Sequence, residues 1–361
     1  MKQFRHALVV GKFYPPHAGH HYLVRAAAAA SERTTVAVLA SSVESIPLRD
    51  RVSWMAAEHR DDAGVVVLGD VDDHPIDYAD DAIWAAHVAI FRAVLCRRAI
   101  RDADPSAAAV DAVFTSEEYG DELAKRLGAQ HVLVDLGRVS HPISGTAIRA
   151  DAREHWPDLA PVTRAGLAAR IVVVGAESTG TTTLSKALAA HYRAPWVPEH
   201  GRLHTEEKLC AAQSFGERVG LEDLVWTVGD FVDIATRQAR AEDEEAGAGP
   251  ILMCDNDPWA ATVWCERYLS YPHPAVAEAV GHRKPALYLL TDHHDVPFEQ
   301  DGWRDGEQLR EWMTDLFERR LNERGVAWIR LTGPPQERLN QAIAACEEAF
   351  ERHFRYPDPM R

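Results

Sequence analysis

The chain has 361 residues, of which 46% are hydrophobic and 26% charged, and its formal net charge at pH 7 is −16. This size and composition exclude a disordered or fibrous chain and predict a globular protein with two domains, because single hydrophobic cores rarely grow beyond about 250–300 residues. The acidic balance argues against nucleic acid as a partner but leaves small phosphorylated ligands open, since a few backbone N–H groups and local cations can bind them.

Cysteine usage and hydropathy indicate the compartment. The five cysteines are scattered without a C-x-x-C pair, which predicts neither a disulfide framework nor a zinc site and fits a reducing environment. No segment reaches the roughly 18 apolar residues of a membrane span, and no secretory signal is evident. We therefore expect a cytoplasmic protein without membrane contacts; the sequence leaves a homo-oligomer open.

The first half of the chain has the pattern of an α/β domain. A short apolar strand at residues 6–10 leads into a loop, a helical segment and a second strand, TTVAVLAS. Further strands are expected at residues 64–68, 111–115 and 131–135, with helical stretches such as DAIWAAHVAIFRAVL between them. Strands that alternate with helices predict a parallel sheet.

A second α/β pattern follows a boundary segment. The two prolines of WPDLAPVTRAGLAAR, residues 156–170, mark that boundary. A strand–loop–helix follows at RIVVVGAESTGTTTLSKALAAHY, and later strands are expected at residues 250–257, 286–292 and 326–333. The predicted domains span about residues 1–160 and 170–355.

The loop after the first strand, GKFYPPHAGHHYL, carries the first candidate site. Gly11 begins a turn there, and His17, Gly19 and His20 lie where a helix begins. Backbone N–H groups at a helix N-terminus and two imidazoles would face one point, which suits a triphosphate. The alternatives are histidines on the surface without a ligand, or a metal site of His17, His20 and His21, for which no matching ligand cluster is evident elsewhere.

A second anion-binding pattern occurs later in the same domain, in HPISGTAIRAD. Ser144 and Thr146 can cap a new helix, and Arg149 projects one turn later. The helix N-terminus and the guanidinium would form a second anion cradle. Capping patterns of this kind are common alone, whereas two phosphate cradles in one α/β domain are far more specific.

These two motifs, HxGH and ISxTxxR, resemble the signatures of the nucleotidyltransferase superfamily. The form GKFYPPHAGH, followed by a phosphate-loop domain, is similar to the bifunctional nicotinamide mononucleotide adenylyltransferase and ribosylnicotinamide kinase family over nearly the whole chain. The resemblance implies an α/β protein: a Rossmann-like nucleotidyltransferase domain followed by a P-loop NTPase domain of the nucleoside and nucleotide kinase type. It also implies ATP as a substrate, bound with Mg²⁺, and nicotinamide mononucleotide as the acceptor.

The resemblance assigns roles to the first site. In that family the acceptor phosphate attacks the α-phosphorus of ATP and releases pyrophosphate without a covalent enzyme intermediate, so the protein positions groups and neutralises charge. His17 and His20 would hold the α- and β-phosphates. The other ATP-binding residues implied are Gly11, Lys12, Phe13, Gly19, Ser144, Thr146 and Arg149.

Two stretches between the motifs match segments that shape the nicotinamide nucleotide pocket in such enzymes, namely SIPLRDRVSWM and GDVDDHPIDYADDAIW. Arg51, Trp54 and Trp84 are the expected contacts, since a tryptophan face can stack on a pyridinium ring. Asp72 and Asp73 are weaker candidates. The alternative is an acidic loop with core aromatic residues, and for Trp84 both interpretations stay open.

The second domain opens with a phosphate-binding loop that lacks its lysine. Against the template G-x-x-x-x-G-K-[ST], Thr181 stands at the lysine position. The preceding strand, the following helix and both glycines favour phosphate binding, with Thr182 able to reach Mg²⁺; the alternative is a coincidental glycine turn. The nucleotide-binding residues predicted here are Gly175, Glu177, Ser178, Thr179, Gly180, Thr181, Thr182 and Thr183.

The missing charge would have to come from elsewhere. Lys186 cannot take the same place, because it lies about 7.5 Å further along the helix and about 140° around it. QDGWRDGEQLR resembles the family's lid, in which Arg304 would clamp phosphate. We hypothesise that Arg304 also replaces the missing lysine, with Arg310 as the weaker choice.

Two further elements complete the predicted kinase site. PEHGR resembles a family element that would place Glu199 and Arg202 at the substrate. CDND at a strand end offers Asp255 for Mg²⁺ and Asp257 as the base, and the pattern leaves the reverse assignment open.

The sequence therefore predicts an enzyme of NAD salvage that adenylylates nicotinamide mononucleotide and carries a ribosylnicotinamide kinase site. Two alternatives stay open: the P-loop domain is a non-catalytic nucleotide sensor, or the first domain acts on another phosphorylated acceptor. Some relatives also carry an N-terminal helix-turn-helix that binds DNA. Because the first strand is expected so close to Met1, we expect no such domain here.

Overall fold

The computed structural model describes residues 2–214, 219–281, 283–299 and 306–359. They form two compact units, Met1–Gly166 with Phe354–Arg361, and Leu167–His353. Each unit is built on a five-stranded sheet whose paired strands are parallel. The predicted fold class, two successive α/β domains, is confirmed.

The sheet of the first unit has the order β3-β2-β1-β4-β5. Its strands are β1 (Phe4–Gly11), β2 (Ser31–Ala40), β3 (Val65–Val71), β4 (Ala112–Thr115) and β5 (Gln130–Leu133). The helices are α1 (Ala18–Ala30), α2 (Leu48–Glu58), α3 (Asp81–Asp102), α4 (Gly120–Leu127) and α5 (Gly145–Ala150), followed by α6 (Pro161–Leu167).

The central strand β1 is buried on both faces, as its continuous apolar run predicts. Leu8 and Val10 point into one hydrophobic cluster, and Ala7 and Val9 point into the other, because successive side chains leave a strand on opposite faces. The strand order reverses between β1 and β4. Ligands of open α/β sheets bind at the carboxyl ends of the strands at such a reversal, and the HxGH loop lies there.

The sheet of the second unit has the order β10-β9-β6-β8-β7. Its strands are β6 (Ala169–Gly175), β7 (Trp196–Val197), β8 (Ile251–Asp255), β9 (Leu287–Thr291) and β10 (Trp328–Leu331). The helices are α7 (Thr181–Tyr192), α8 (His200–Gln213), α9 (Val228–Ala246), α10 (Ala260–Leu269), α11 (Pro274–Val280), α12 (Arg310–Arg324) and α13 (Pro335–His353).

The lysine-less loop joins the central strand β6 to α7, and both of its glycines are required by the backbone. Gly180 has φ +88°, in the left-handed region that side chains disfavour, and is the N-cap of α7. A Cβ atom on Gly175 would collide with Thr291 Oγ1.

Among the described residues, none of the helices combines the length and apolar character needed to span a bilayer.

Two candidate active sites

A cavity of about 370 Å³ lies in the first unit at the carboxyl ends of β1, β2 and β4. Both sequence motifs reach it, together with the loop between β3 and α3. The predicted residues that line it are Gly11, Lys12, Phe13, His17, Gly19, His20, Asp72, Trp84, Ser144, Thr146 and Arg149. Residues far apart in the chain are thus brought around one space.

The two motif histidines lie together on the cavity wall. Their rings are stacked with centroids 3.6 Å apart, and Nδ1 of each is buried without a hydrogen-bond partner among the described residues. Burial, aided by the nearby Arg138, His141 and Arg149, lowers the pKa of His17 to about 3. Burial and His17 lower the pKa of His20 as well. Both rings are therefore neutral at pH 7, and each offers a polar atom that a ligand could satisfy.

The second motif is tied directly to the first. Ser144 caps α5 as predicted, with Oγ accepting from Ala147 N at 3.1 Å. Arg149 donates through NH1 to the carbonyl of Tyr14 at 2.8 Å and through NH2 to Thr146 Oγ1 at 3.2 Å. Thr146 is thus an acceptor from Arg149. The residues of the two predicted anion cradles are thus in contact with each other and line one cavity.

Arg51 was expected at the substrate, and the structure corrects this. Its side chain is 0% exposed and pairs with Glu44 at 2.7 Å. It also donates to the carbonyls of Ile46 at 2.7 Å and Lys12 at 2.9 Å. A guanidinium that is fully engaged with the backbone supports the loop instead of contacting a ligand. Lys12, which lines the cavity, lies 3.3 Å from the other oxygen of Glu44.

Trp54 and Asp73 also lie away from this cavity. The indole of Trp54 packs so closely on Gly166 that a Cβ there would collide with it, and Asp73 accepts from Ser42 N at 2.6 Å. Trp84 belongs to the hydrophobic core and also lines the cavity, so its contact with a nicotinamide ring stays a prediction. The motifs do not reveal Tyr78 and Tyr119, whose rings are stacked on the same wall with centroids 6.3 Å apart.

A second cavity, of about 170 Å³, adjoins the phosphate loop of the second unit. The predicted residues that line it are Gly175, Glu177, Ser178, Thr182, Glu199, Arg202 and Asp257. Thr179 is buried and stabilises the loop instead. Its Oγ1 donates to Ala176 O and lies 2.7 Å from Thr291 Oγ1. Gly180, Thr181 and Thr183 belong to the helix start outside the cavity lining.

Asp255 lies against the start of α7. Thr182 Oγ1 donates to its Oδ2 at 2.5 Å, and its buried Oδ1 has no hydrogen-bond partner among the described residues. Burial raises the pKa of Asp255, while hydrogen bonds from Thr182 and Thr181 oppose the rise. A hydroxyl and a carboxylate with an unsatisfied oxygen fit the donor set that Mg²⁺ prefers.

The other two carboxylates differ in their surroundings. Asp257 accepts from Tyr288 Oη at 2.6 Å and from Ala260 N at 3.0 Å. Glu199 has a hydrogen bond with the Asn256 side chain, which lowers its pKa, but burial and the neighbouring Asp255 raise that pKa overall. The wall opposite is aromatic, formed by Trp226, Phe231, Trp264 and Tyr268.

The cations described near the loop each have a partner within the protein. Lys186 stacks on Trp196, 4.6 Å from the ring centroid, as expected for a residue unable to replace the lysine. Arg310 donates to the carbonyls of Ser178 and His293. Arg267, which the motifs did not reveal, pairs with Glu177 at 2.7 Å. The predicted Arg304 lies outside the described residues.

The fold and the two sites define a class of protein, a nucleotidyltransferase-type domain joined to a P-loop kinase-type domain. A protein-family model described as an AAA domain matches residues 170–338. The trifunctional NAD biosynthesis/regulator protein NadR of Escherichia coli (strain K12) is 23% identical over 344 residues, 90% of this chain and 78% of the relative. The NadR protein of Salmonella typhimurium is 23% identical over 342 residues, with the same coverage.

Solved structures of NadR have the same fold along nearly the whole chain. The NadR protein in complex with NR has a TM-score of 0.63 at 21% identity, covering 96% of both chains. The complex with NAD and AMP-PNP has a TM-score of 0.64 at 21% identity, covering 97% of both. The resemblance found from the motifs is confirmed: NadR proteins are among the homologues of this chain.

Proposed function

We propose that the first unit transfers the adenylyl group of ATP to nicotinamide mononucleotide, giving NAD and pyrophosphate. The observation that carries this proposal is the single cavity in which both phosphate motifs and an aromatic wall meet. Its relatives are NAD biosynthesis proteins by name, and one solved relative holds NAD with AMP-PNP.

The chemistry needs placement and charge more than a base. A phosphate oxygen of the acceptor is already ionised at neutral pH; it bonds to the α-phosphorus while the bond to the bridging oxygen of pyrophosphate breaks. Lys12, Arg138 and Arg149 would neutralise the triphosphate, and the neutral imidazoles of His17 and His20 would donate hydrogen bonds to it. Trp84 and the tyrosine pair would face the pyridinium ring.

We propose that the second unit phosphorylates nicotinamide riboside with ATP. The lysine-less loop would cradle the phosphates through its N–H groups, and Thr182 and Asp255 would hold Mg²⁺. Bound Mg²⁺ would neutralise the β- and γ-phosphates. The aromatic wall, formed in part by Trp226 and Tyr268, suits a cationic pyridinium ring.

In this second reaction we assign the role of base to Glu199, with Asp257 orienting the substrate hydroxyl. The hydroxyl oxygen bonds to the γ-phosphorus, the bond to the β-phosphate side breaks, and the hydroxyl proton passes to a carboxylate. A base works best with a pKa near the working pH, and burial raises the pKa of both Glu199 and Asp257, so their hydrogen-bond partners decide between them. Asp257 is already engaged by Tyr288 and Ala260. The prediction that Arg304 supplies the missing charge stays a proposal.

Two parallel incubations test both activities. The full chain receives ATP and Mg²⁺ with nicotinamide mononucleotide in one tube and nicotinamide riboside in the other, and products are separated by chromatography. We expect NAD in both. NAD from the mononucleotide alone would contradict the kinase proposal and favour a nucleotide sensor, and NAD from neither would contradict the choice of acceptor.

Two variants serve as matched controls, one in each unit. His20→Ala should abolish NAD in both tubes while nicotinamide mononucleotide accumulates from the riboside. Asp255→Asn should abolish products from the riboside alone. Loss in both tubes with Asp255→Asn would contradict the assignment of one activity to each unit.

A further inference from the structure

We propose that Asp72, His74 and His87 form a binding site for a divalent transition metal ion such as Zn²⁺ on the wall of the first cavity. Asp72 and His74 follow β3, and His87 projects from the second turn of α3. One ligand atom from each of the three residues lies within 4.8 Å of the others. All three residues line the cavity.

The carboxylate lies between the two imidazoles. Asp72 Oδ1 is 2.9 Å from His74 Nδ1, and Asp72 Oδ2 is 2.5 Å from His87 Nδ1. The backbone of Asp72 is fixed to the end of β2, since its N–H donates to Ala40 O at 2.8 Å. Its side chain is 7% exposed, against 47% for His74 and 16% for His87. The site is thus anchored on its carboxylate and open on the side of His74.

The surroundings of His87 favour a positive charge at this place, carried by the ring itself or by a bound metal ion. Both of its ring nitrogens face oxygen acceptors: Nδ1 faces Asp72 Oδ2, and Nε2 faces the carbonyl of Pro75 at 3.1 Å. A neutral imidazole has only one N–H and cannot satisfy both, so the two acceptors require either an imidazolium or a metal ion on Nδ1. With a metal ion on Nδ1, Nε2–H donates to the carbonyl, and the metal titration below distinguishes the two cases. Metal-bound histidines generally have a carbonyl or carboxylate on the other nitrogen.

The donor set indicates the kind of ion. Two imidazole nitrogens and one carboxylate oxygen suit Zn²⁺, Co²⁺ or Ni²⁺, whereas Mg²⁺ prefers oxygen ligands alone. Three protein ligands leave a fourth position of a tetrahedral ion for water or a ligand. The site is therefore distinct from the Mg²⁺ that accompanies ATP. An ion here would also link the segment after β3 to α3, which carries Trp84.

A second cluster with the same residue types provides a matched control. Asp292, His293 and His294 also bring ligand atoms within 4.8 Å of one another. There, however, Arg330 Nε already donates to Asp292 Oδ2 at 2.7 Å. The guanidinium neutralises this carboxylate, so a metal ion would have to displace it or add charge beside it. We expect this cluster to bind no ion.

Metal titration of the chelator-stripped full chain tests the proposal without any substrate, so the result is independent of the proposed reactions. Zn²⁺ is titrated by calorimetry, and Co²⁺ is followed by its visible d–d absorption. We expect one equivalent of each, and a Co²⁺ spectrum without a thiolate charge-transfer band, since no cysteine is a ligand. The proposal would be overturned if the wild-type chain bound neither ion, or if the spectrum of the bound Co²⁺ contained a thiolate charge-transfer band.

Two variants locate the ion. His74→Ala, at an exposed position that should leave the fold intact, should weaken Zn²⁺ binding at least about tenfold. The control His293→Ala/His294→Ala should bind as the wild type does. Binding that is unchanged in His74→Ala, or lost in the control, would overturn the assignment. An anomalous difference peak between Asp72, His74 and His87 in zinc-soaked crystals would support it, and a peak elsewhere would refute it.

Discussion

Glu177 of the phosphate-binding loop forms an ion pair with Arg267 of α10, with Glu177 Oε1 2.7 Å from Arg267 NH1. The other oxygen of Glu177 accepts from Gly306 N at 2.7 Å. The arginine side chain is 4% exposed and also lies over Tyr268, 4.6 Å from the ring centroid. A cation thus lies beside the loop in which Thr181 has replaced the lysine.

Removal of this cation should weaken nucleotide binding by the second unit. In Arg267→Met the Glu177 carboxylate would stay beside the phosphates without its partner, and breaking a buried pair costs about 3–5 kcal/mol. We expect at least a tenfold weaker affinity for ADP with Mg²⁺, measured by calorimetry in a His20→Ala background that isolates this unit. The control, Arg267→Met with Glu177→Gln, should recover part of the affinity; equal affinities in all three proteins would contradict this role.

Restoring the lysine should raise the kinase rate. In Thr181→Lys an ammonium group would return to the β,γ-phosphates, where charge neutralisation in phosphoryl transfer is worth several kcal/mol. We expect the rate from nicotinamide riboside to rise about 10²-fold, with adenylyl transfer from the mononucleotide unchanged as the internal control. A folded variant without any gain would favour a sensor over a weakened kinase.

The sequence predicts those parts of the two sites that depend on local backbone chemistry. Glycines, helix caps and strand ends are short-range features, so the HxGH loop, the cap at Ser144 and the lysine-less loop could all be found before the fold was known. The alternation of strands and helices likewise predicted parallel sheets. These features keep their meaning in any α/β context.

Contacts made by packing could not be predicted in this way. Arg51 and Trp54 lie in a stretch that resembles a substrate pocket, yet Arg51 is turned inward by Glu44 and by backbone carbonyls. Arg267 carries no motif, and only the approach of α10 to the phosphate loop gives it a role. The direction in which a side chain leaves its helix depends on neighbours distant in sequence, which the motifs do not specify.

The structural role of Arg51 can be tested by comparison with Arg138, which lines the first cavity. Arg51→Met removes one partner of a fully buried ion pair and should destabilise the first unit by about 3–5 kcal/mol. Arg138→Ala removes a cation from the cavity wall and should raise the KM for ATP with little change in Tm. Thermal unfolding and steady-state kinetics of both variants decide the matter; a raised KM without loss of Tm in Arg51→Met would restore the original interpretation.

The pH dependence of the kinase rate should distinguish the roles of Glu199 and Asp257 in the second cavity. Removing the base lowers kcat for the riboside by about 10²–10⁴-fold. We expect this loss in Glu199→Gln, together with loss of the acidic limb of the pH–rate profile, because that limb reports the raised pKa of Glu199. Asp257→Asn should lower the rate yet keep the limb. The opposite pattern in the two variants would return the role of base to Asp257.

The buried histidines of the first unit should make it sensitive to acid. Burial lowers the pKa of His6 to about 4 and those of His17 and His21 to about 3, from an ordinary value of 6.5. Between pH 6.5 and about 4 the unfolded chain therefore binds protons at these rings while the native chain does not, so the free energy of unfolding falls as the pH falls.

The variant His17→Asn tests this linkage at one ring. Because asparagine does not titrate, the unfolded variant binds one proton fewer, and its stability should fall less steeply with acid, by at most about 1.4 kcal/mol per pH unit. His17 suits the test because its Nδ1 has no hydrogen-bond partner among the described residues; the lost stacking on His20 shifts the overall stability, whereas the slope with pH reports the titration. Urea unfolding, followed between pH 6.5 and 4 by a probe in the first unit, measures the slope. An identical slope in both proteins would mean that His17 titrates in the native state as it does in the unfolded chain. The ring would then be exposed to solvent instead of buried.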